Sequence, residues 1–221
     1  MSVLEKINKK LLEEQEARKD RVRSHKISPS ALGRCFRYQY WNREGVTPTN
    51  PPDVRTLRIF KVGSLFHSFI QDFYPEAQKE VRVESEDILG FADLVTEDAV
   101  IDIKSQHSKA FWYMKQKNYD INVEKLPNIL QVICYASLLN KEWGRLLFVS
   151  KDDLCVEEYA FSGFKWLETL EEELATLRDL WSKKSLPEAK PRAYKGKECR
   201  LCSFLDLCKE KEGKKHPYKA K

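Results

Sequence analysis

GFADLVTEDAVIDIKS, residues 90–105, is the stretch that decides the fold. Apolar residues fill two runs, 89–95 and 99–103, and the polar triplet 96–98 separates them. Runs of this length bounded by turn residues are typical of β-strands. We therefore expect a hairpin whose two strands belong to the central sheet.

Two acidic residues and a lysine interrupt these apolar runs. Asp93 lies in the first run and Asp102 in the second, and strand alternation directs Lys104 to the same face as Asp102. Such charges are costly to remove from water unless a metal ion or a phosphate compensates them. The pattern suits metal-dependent hydrolysis of a phosphodiester, in which carboxylates hold Mg²⁺ or Mn²⁺ and the lysine positions water or offsets charge. A surface hairpin with solvated charges explains the same residues equally well.

The rest of the sequence predicts an α/β protein with a mixed central β-sheet flanked by helices. Helical periodicity predicts helices at residues 2–24, 28–43, 54–74, 108–118, 127–142 and 162–184. Alternating or apolar runs predict strands at residues 80–84, 88–95, 99–105, 145–150 and 156–161. We expect a charged N-terminal helix over 1–24, one main domain over 25–208, and a basic tail over 209–221.

Composition and charge narrow the class of protein. No apolar run approaches the roughly 20 residues of a membrane-spanning helix, and the N-terminal residues lack the apolar core of a secretory signal. We therefore expect a cytoplasmic location. The net charge of +5, from 39 basic and 34 acidic residues, permits a nucleic-acid partner without requiring one.

The six cysteines do not indicate disulfides in a cytoplasmic protein. Four of them form a candidate ligand set, with one remote residue and a C-x₂-C-x₅-C group: Cys35, Cys199, Cys202 and Cys208. Four thiolates suit either Zn²⁺ or an iron–sulfur cluster, and the spacing alone does not separate the two. The other two fall in apolar segments and are predicted to be buried packing residues: Cys134 and Cys155.

Three residues on the helices around the hairpin are further candidates for its site. His67 lies on the apolar helix before the hairpin, and Gln131 and Tyr135 share one face of the helix after it. Each also has an ordinary explanation, because a histidine or tyrosine on an apolar helical face is more often a core residue than a ligand.

Taken in order, these motifs resemble those of the RecB-type nucleases of the PD-(D/E)XK superfamily. The matching segments are GSLFH at 63–67, GFAD at 90–93, DIK at 102–104 and QVICY at 131–135. The resemblance covers residues 28–208 and implies a restriction-endonuclease-like core with Mg²⁺- or Mn²⁺-dependent deoxyribonuclease activity, as an exonuclease on single-stranded DNA. It implies that the metal is held by His67, Asp93, Asp102 and the carbonyl of Ile103. In the same comparison Lys104 positions water or stabilises the phosphate, and the strand is oriented by Gln131 and Tyr135.

The four-cysteine pattern resembles the iron–sulfur branch of this family, which includes CRISPR-associated adaptation nucleases and related viral exonucleases. The resemblance implies a [4Fe–4S] cluster that joins the two ends of the domain, with a structural Zn²⁺ as the alternative. It implies a function in recombination, repair, phage DNA processing or CRISPR adaptation, with proteins of those pathways as partners. It is also compatible with a homo-oligomer.

One residue departs from the family pattern, because Asp102 stands where most members have a glutamate. The shorter arm still binds metal, but it alters the geometry and the metal preference. A second function keeps the same fold without catalysis: a nucleic-acid-binding or adaptor protein that retains strand binding and lacks cleavage. The aromatic and basic residues of segment 109–117 either stack on a single strand or form a half-buried amphipathic helix.

Overall fold

The computed structural model describes residues 1–19 and 25–218. Within them the chain forms one five-stranded sheet in the order β1-β2-β3-β4-β5. The strands are β1 Gln78–Glu84, β2 Leu89–Val95, β3 Ala99–Gln106, β4 Trp143–Ser150 and β5 Val156–Ser162. In this sheet β3 and β4 run parallel, and the other three neighbouring pairs are antiparallel. The predicted mixed α/β architecture is confirmed.

In the part of the chain that the structure describes, three α-helices come before the first strand, and the others follow the third strand or later. The α-helices of the described residues are α1 Val3–Lys19, α2 Phe36–Arg43, α3 Val54–Gln71, α4 Ser108–Met114, α5 Ile121–Glu124, α6 Leu126–Leu138, α7 Gly163–Ser182 and α8 Leu205–Glu212. Short 3₁₀ turns occur at Pro29–Ala31, Tyr194–Gly196, Glu198–Leu201 and Gly213–Lys215. Among the described helices, none combines the length and the apolar character needed to cross a bilayer.

The two faces of the sheet bury two separate cores. On one face, Val100 and Leu146 pack with residues of α6 and α7 in the larger core. On the other face, Ile101 and Ile103 pack with Ile70 of α3 in the smaller core. The alternation of side chains along β3 produces this division, because successive residues point to opposite faces. The functional candidates on β3 therefore lie between helices that approach from both sides.

The predicted helix over 28–43 is wrong as a continuous element. A 3₁₀ turn at Pro29–Ala31 comes first, and α2 begins only after Cys35, its N-cap residue. Gly33 interrupts the helix because its φ of +71° is left-handed, and a β-carbon at Gly33 would lie 3.1 Å from Cα of Pro127. Glycine permits both the backbone conformation and the close approach to α6.

Three other helices end before their predicted limits, at Gln71, Met114 and Leu138. Asn140 follows the last of these with a left-handed φ of 53°, a conformation that terminates helices. Residues 20–24 of the predicted N-terminal helix and 219–221 of the predicted basic tail lie outside the described residues.

Candidate active site

The hairpin strands β2 and β3 separate where their acidic residues lie. Ladder pairing joins Val95 to Val100 and Leu94 to Ile101, and continuing that register would place Asp93 opposite Asp102. Instead, the Asp93 carboxylate accepts a hydrogen bond from the backbone N–H of Ile103 at 2.7 Å. A side chain thus takes the place of a backbone partner, and the two carboxylates border a gap between the strands.

Asp102 is almost completely buried and is paired with Lys104 on the same face of β3. Its relative exposure is 1%, and its Oδ2 lies 2.6 Å from Nζ of Lys104. The contact is a short ion pair, and Lys104 is the partner of Oδ2 among the described residues.

Burial and charge shift the pKa of both members of this pair. Burial, together with the negative charge of Asp93, raises the pKa of Asp102 to about 6 although Lys104 opposes the shift. Burial disfavours the ammonium of Lys104, but the attraction of Asp102 and Asp93 outweighs it and raises the lysine pKa. The lysine is therefore cationic at neutral pH and faces two carboxylates.

His67 reaches the site from α3, which packs on the opposite face of the sheet. Its Nδ1 lies 3.5 Å from Oδ1 of Asp93. Burial would lower the pKa of His67, but the hydrogen bond and charge of Asp93 raise it overall. Burial alone would raise the pKa of Asp93. The hydrogen bond and charge of His67 and the charge of Lys104 outweigh burial and hold that pKa below its ordinary value. The four predicted residues His67, Asp93, Asp102 and Lys104 form one electrostatic cluster.

Glu80 joins this cluster, and sequence analysis missed it. Ligand atoms of His67, Glu80 and Asp93 all lie within 4.8 Å of one another. The sequence showed Glu80 only as the first residue of a predicted strand. The register of β1 against β2, which places Glu80 opposite Asp93, is the signal that identifies it.

Gln131 and Tyr135 approach the hairpin from α6. Both are buried, and the Gln131 side chain opposes part of the rise in the pKa of Tyr135. Burial raises the pKa of Tyr135, and the charge of Asp102 adds to the increase. Tyr135 is therefore a neutral hydroxyl within the electrostatic influence of the acidic cluster.

Two clefts lie beside these residues. The first, of about 610 Å³, is bordered by Phe91, Gln131 and Tyr135 together with residues before the 3₁₀ turn. The second, of about 360 Å³, also has Glu124 in its lining, paired with Lys195, but most of its charged and aromatic residues are lysines and tyrosines: Tyr113, Tyr119, Lys125, Tyr194, Lys195 and Lys197. Lys104 interacts electrostatically with Tyr194 and Lys125 of the second cleft. The acidic cluster is thus connected to a basic and aromatic surface.

The four candidate cysteine ligands line one small pocket of about 20 Å³: Cys35, Cys199, Cys202 and Cys208. Burial and the neighbouring thiols raise the pKa of Cys199 to about 11. In a tetrahedral Zn²⁺ site with Zn–S bonds of about 2.3 Å, sulfurs lie about 3.8 Å apart. In the described chain no three of these sulfurs lie within 4.8 Å of one another.

The two remaining cysteines differ from each other. Cys134 is buried in the larger core, as predicted. The prediction for Cys155 is wrong, because this residue is exposed in the loop before β5. Cys155 has apolar neighbours in the sequence, but it is not buried, because the loop that carries it lies outside the sheet.

Comparisons with known proteins identify a shared fold. The chain matches no protein-family model and no curated protein. Among solved structures it is similar to the crystal structure of SSO0001, with a TM-score of 0.63 and 20% identity over 97% of this chain and 98% of that one. The two chains therefore share a fold over nearly their full lengths.

Two further matches are to an alkaline exonuclease, LHK-Exo, from Laribacter hongkongensis. The first has a TM-score of 0.43 and 12% identity, over 74% of this chain and 96% of that one. The second, a complex with dAMP, has a TM-score of 0.42 and 14% identity, over 73% and 94%. Likeness at this level does not establish a common fold or activity.

Proposed function

We propose that the protein is a metal-dependent deoxyribonuclease that acts as an exonuclease on single-stranded DNA. The observation that carries the proposal is the convergence of His67, Asp93, Asp102 and Lys104 from three elements at the gap between β2 and β3. A histidine, two carboxylates and a lysine in one cluster fit hydrolysis of a phosphodiester better than a structural ion pair, because Lys104 faces a second carboxylate, Asp93, that also contacts His67.

The candidate ligands fit a hard divalent cation. Carboxylate oxygens suit Mg²⁺ and Mn²⁺, and the imidazole of His67 favours Mn²⁺ over Mg²⁺. Bound there by His67, Asp93, Asp102 and the carbonyl of Ile103, the ion would polarise the phosphate and lower the pKa of water. In this proposal Lys104 holds its positive charge beside the phosphate and offsets the negative charge that develops during cleavage.

The two clefts support a single-stranded substrate. Bases stack on aromatic rings without sequence preference, and lysines follow the phosphates. Tyr113, Tyr194 and Lys197 supply both features on the side of Lys104. We assign Gln131 and Tyr135 to orient the strand where it leaves the acidic cluster through the first cleft.

We assign Cys35, Cys199, Cys202 and Cys208 to a [4Fe–4S] cluster, with Zn²⁺ as the alternative. Their common pocket supports a shared metal group, and the resemblance of the four-cysteine pattern to the iron–sulfur branch favours a cluster. The group would tie Cys35 to the C-terminal segment and so stabilise the closed domain.

Cleavage of labelled single strands in Mn²⁺ tests the proposal. Wild-type protein should degrade linear strands, and comparing 5′-blocked, 3′-blocked and circular strands defines the end that is required. Lys104→Ala should lose the activity on the order of 100-fold or more, whereas Lys165→Ala, at an exposed position on α7, should retain it. Strand binding without cleavage by the wild type would overturn the catalytic assignment and favour an adaptor of the same fold.

A further inference from the structure

The possible metal ligands around His67 include one carboxylate, that of Glu80, which lies in none of the four sequence motifs. His67, Glu80 and Asp93 place their ligand atoms within 4.8 Å of one another, on three different elements. One imidazole and two carboxylates are a donor set that Mn²⁺ accepts. Glu80 itself is exposed, so its carboxylate can reach a cation without a large cost of desolvation.

The backbone of β1 directs Glu80 toward this group. Ladder pairs join Lys79 to Leu94 and Val81 to Ala92, which leaves Glu80 facing Asp93 across the two strands. The φ of Glu80 is 50°, a left-handed value that non-glycine residues seldom adopt. The strand therefore departs from regular geometry at the residue that faces the acidic site.

Gln71 holds the two acidic residues in register. Its Nε2 donates to Oε1 of Glu80 at 2.8 Å and to the backbone carbonyl of Asp93 at 3.0 Å. Gln71 is buried at the end of α3, one turn after His67. One amide thus connects Glu80 to both the helix and the strand that carry the other two ligands.

Asp102 does not belong to the same ligand group. Its carboxylate lies deep in the protein, 2.6 Å from Lys104, and in the described residues it is not within 4.8 Å of all the His67 and Asp93 ligand atoms. Asp102 is also one methylene shorter than the glutamate usual at this position in the family it resembles. Its short arm leaves a place in the coordination of the ion that another acid can fill.

We propose that Glu80 is a direct ligand of the divalent cation beside His67 and Asp93, and that it compensates for the short arm of Asp102. This inference rests on the proposed function only in that both use the same ion. Asp102 also holds Lys104 in place.

Binding of Mn²⁺ to the full-length protein without DNA tests the proposal, by calorimetry and by electron paramagnetic resonance. Glu80→Gln should weaken Mn²⁺ binding on the order of 10-fold or more. Glu86→Gln is the matched control, because this exposed glutamate lies in the turn between β1 and β2 and should leave binding unchanged. Adding Asp102→Glu to Glu80→Gln should restore affinity, since the longer arm would supply the missing oxygen.

The variant His67→Ala distinguishes a failure of the Glu80 assignment from a failure of the metal site itself. If His67→Ala loses Mn²⁺ and Glu80→Gln binds it as wild type does, the role of Glu80 is overturned while the metal site stands. If His67→Ala also binds as wild type does, or if the wild type binds no Mn²⁺, the metal site fails together with this inference. Circular dichroism of each variant excludes unfolding as the cause of lost binding, and rescue by Asp102→Glu does so independently.

Discussion

A β-carbon added to Gly90 would lie 2.5 Å from the hydroxyl oxygen of Tyr135. This close approach brings the GFAD strand against the helix that carries Gln131 and Tyr135. It also explains why the two motifs lie together although about 40 residues separate them in the chain. The glycine at this position is a packing requirement of the site.

Gly90→Ala should destabilise the protein by about 1–3 kcal/mol, because the new methyl group overpacks against Tyr135. Gly63→Ala is the control. A β-carbon at Gly63 meets only Oγ of Ser105, at 3.7 Å. Alanine at this helical position should therefore raise the free energy of unfolding by about 0.5–1 kcal/mol. Urea unfolding of both variants checks the prediction, and a neutral Gly90→Ala would contradict the close packing.

Glu198 links Cys35 to the C-terminal segment without any metal. Its buried carboxylate accepts hydrogen bonds from the backbone N–H of Cys35 at 3.0 Å, of Ala193 at 3.2 Å and of Arg192. Arg34 lies 3.8 Å away as a counter-charge. Glu198 is therefore one of several contacts that hold the segment with three of the cysteines beside the fourth, together with the Arg37–Glu212 ion pair at 2.6 Å and the packing of Trp41 on Phe204.

Glu198→Ala should cost about 3 kcal/mol, because it leaves buried donors and the Arg34 charge uncompensated. Hydrogen exchange should show faster opening of residues 192–212 than in wild-type protein. The exposed Glu188→Ala is the matched control and should behave as wild type. Unchanged protection in Glu198→Ala would contradict the role of this carboxylate and leave the segment to its other contacts, such as the Arg37–Glu212 ion pair.

Asp102→Asn should stabilise the protein at pH 7 when no divalent ion is added, by about 3 kcal/mol. The folded-state pKa of Asp102 is raised from 3.8 to about 6, so ionisation disfavours the folded state. The contribution of Asp102 to stability is consequently lost as the pH rises from about 4 to about 6.

The gain from Asp102→Asn should fall below about 1 kcal/mol at pH 4, where the wild-type carboxyl is protonated in the folded state and about half protonated in the unfolded state. Unfolding in urea at pH 4, 5.5 and 7 measures this dependence. Asp179→Asn, at an exposed position on α7, should show a change within about 0.5 kcal/mol at each pH. Destabilisation by Asp102→Asn at pH 7 would show that its pairing with Lys104 outweighs the cost of burial.

Cys199→Ser should release the metal group from the protein, whereas Cys155→Ser should retain it. Cys199 lines the pocket shared by the four cysteines, and Cys155 is exposed near β5. Elemental analysis for iron and zinc, with the visible absorption of anaerobically purified protein, checks both variants. Equal metal content in the two variants would refute the ligand assignment, and stoichiometric zinc without iron would replace the cluster by a zinc site.

Much of the fold follows from local sequence patterns. The five strands lie close to their predicted limits because apolar alternation and turn residues act over short distances. The helix over 28–43 was predicted wrongly because the conformation of Gly33 depends on contact with Pro127, about 90 residues later. The exposure of Phe60 and Phe69 on α3, 56% and 43%, likewise does not follow from their helical spacing.

The sequence by itself determined the residue types of the site and their order along the chain. It predicted Asp102 and Lys104 on one face of a strand from side-chain alternation, and it singled out His67 and Asp93 together with them through the resemblance to the nuclease motifs. Tertiary structure alone decided that Asp102 is buried against Lys104 and that Glu80 faces His67. Those relationships depend on strand register, on the left-handed backbone of Glu80 and on the separation of β2 from β3, which arise only when distant segments pack together.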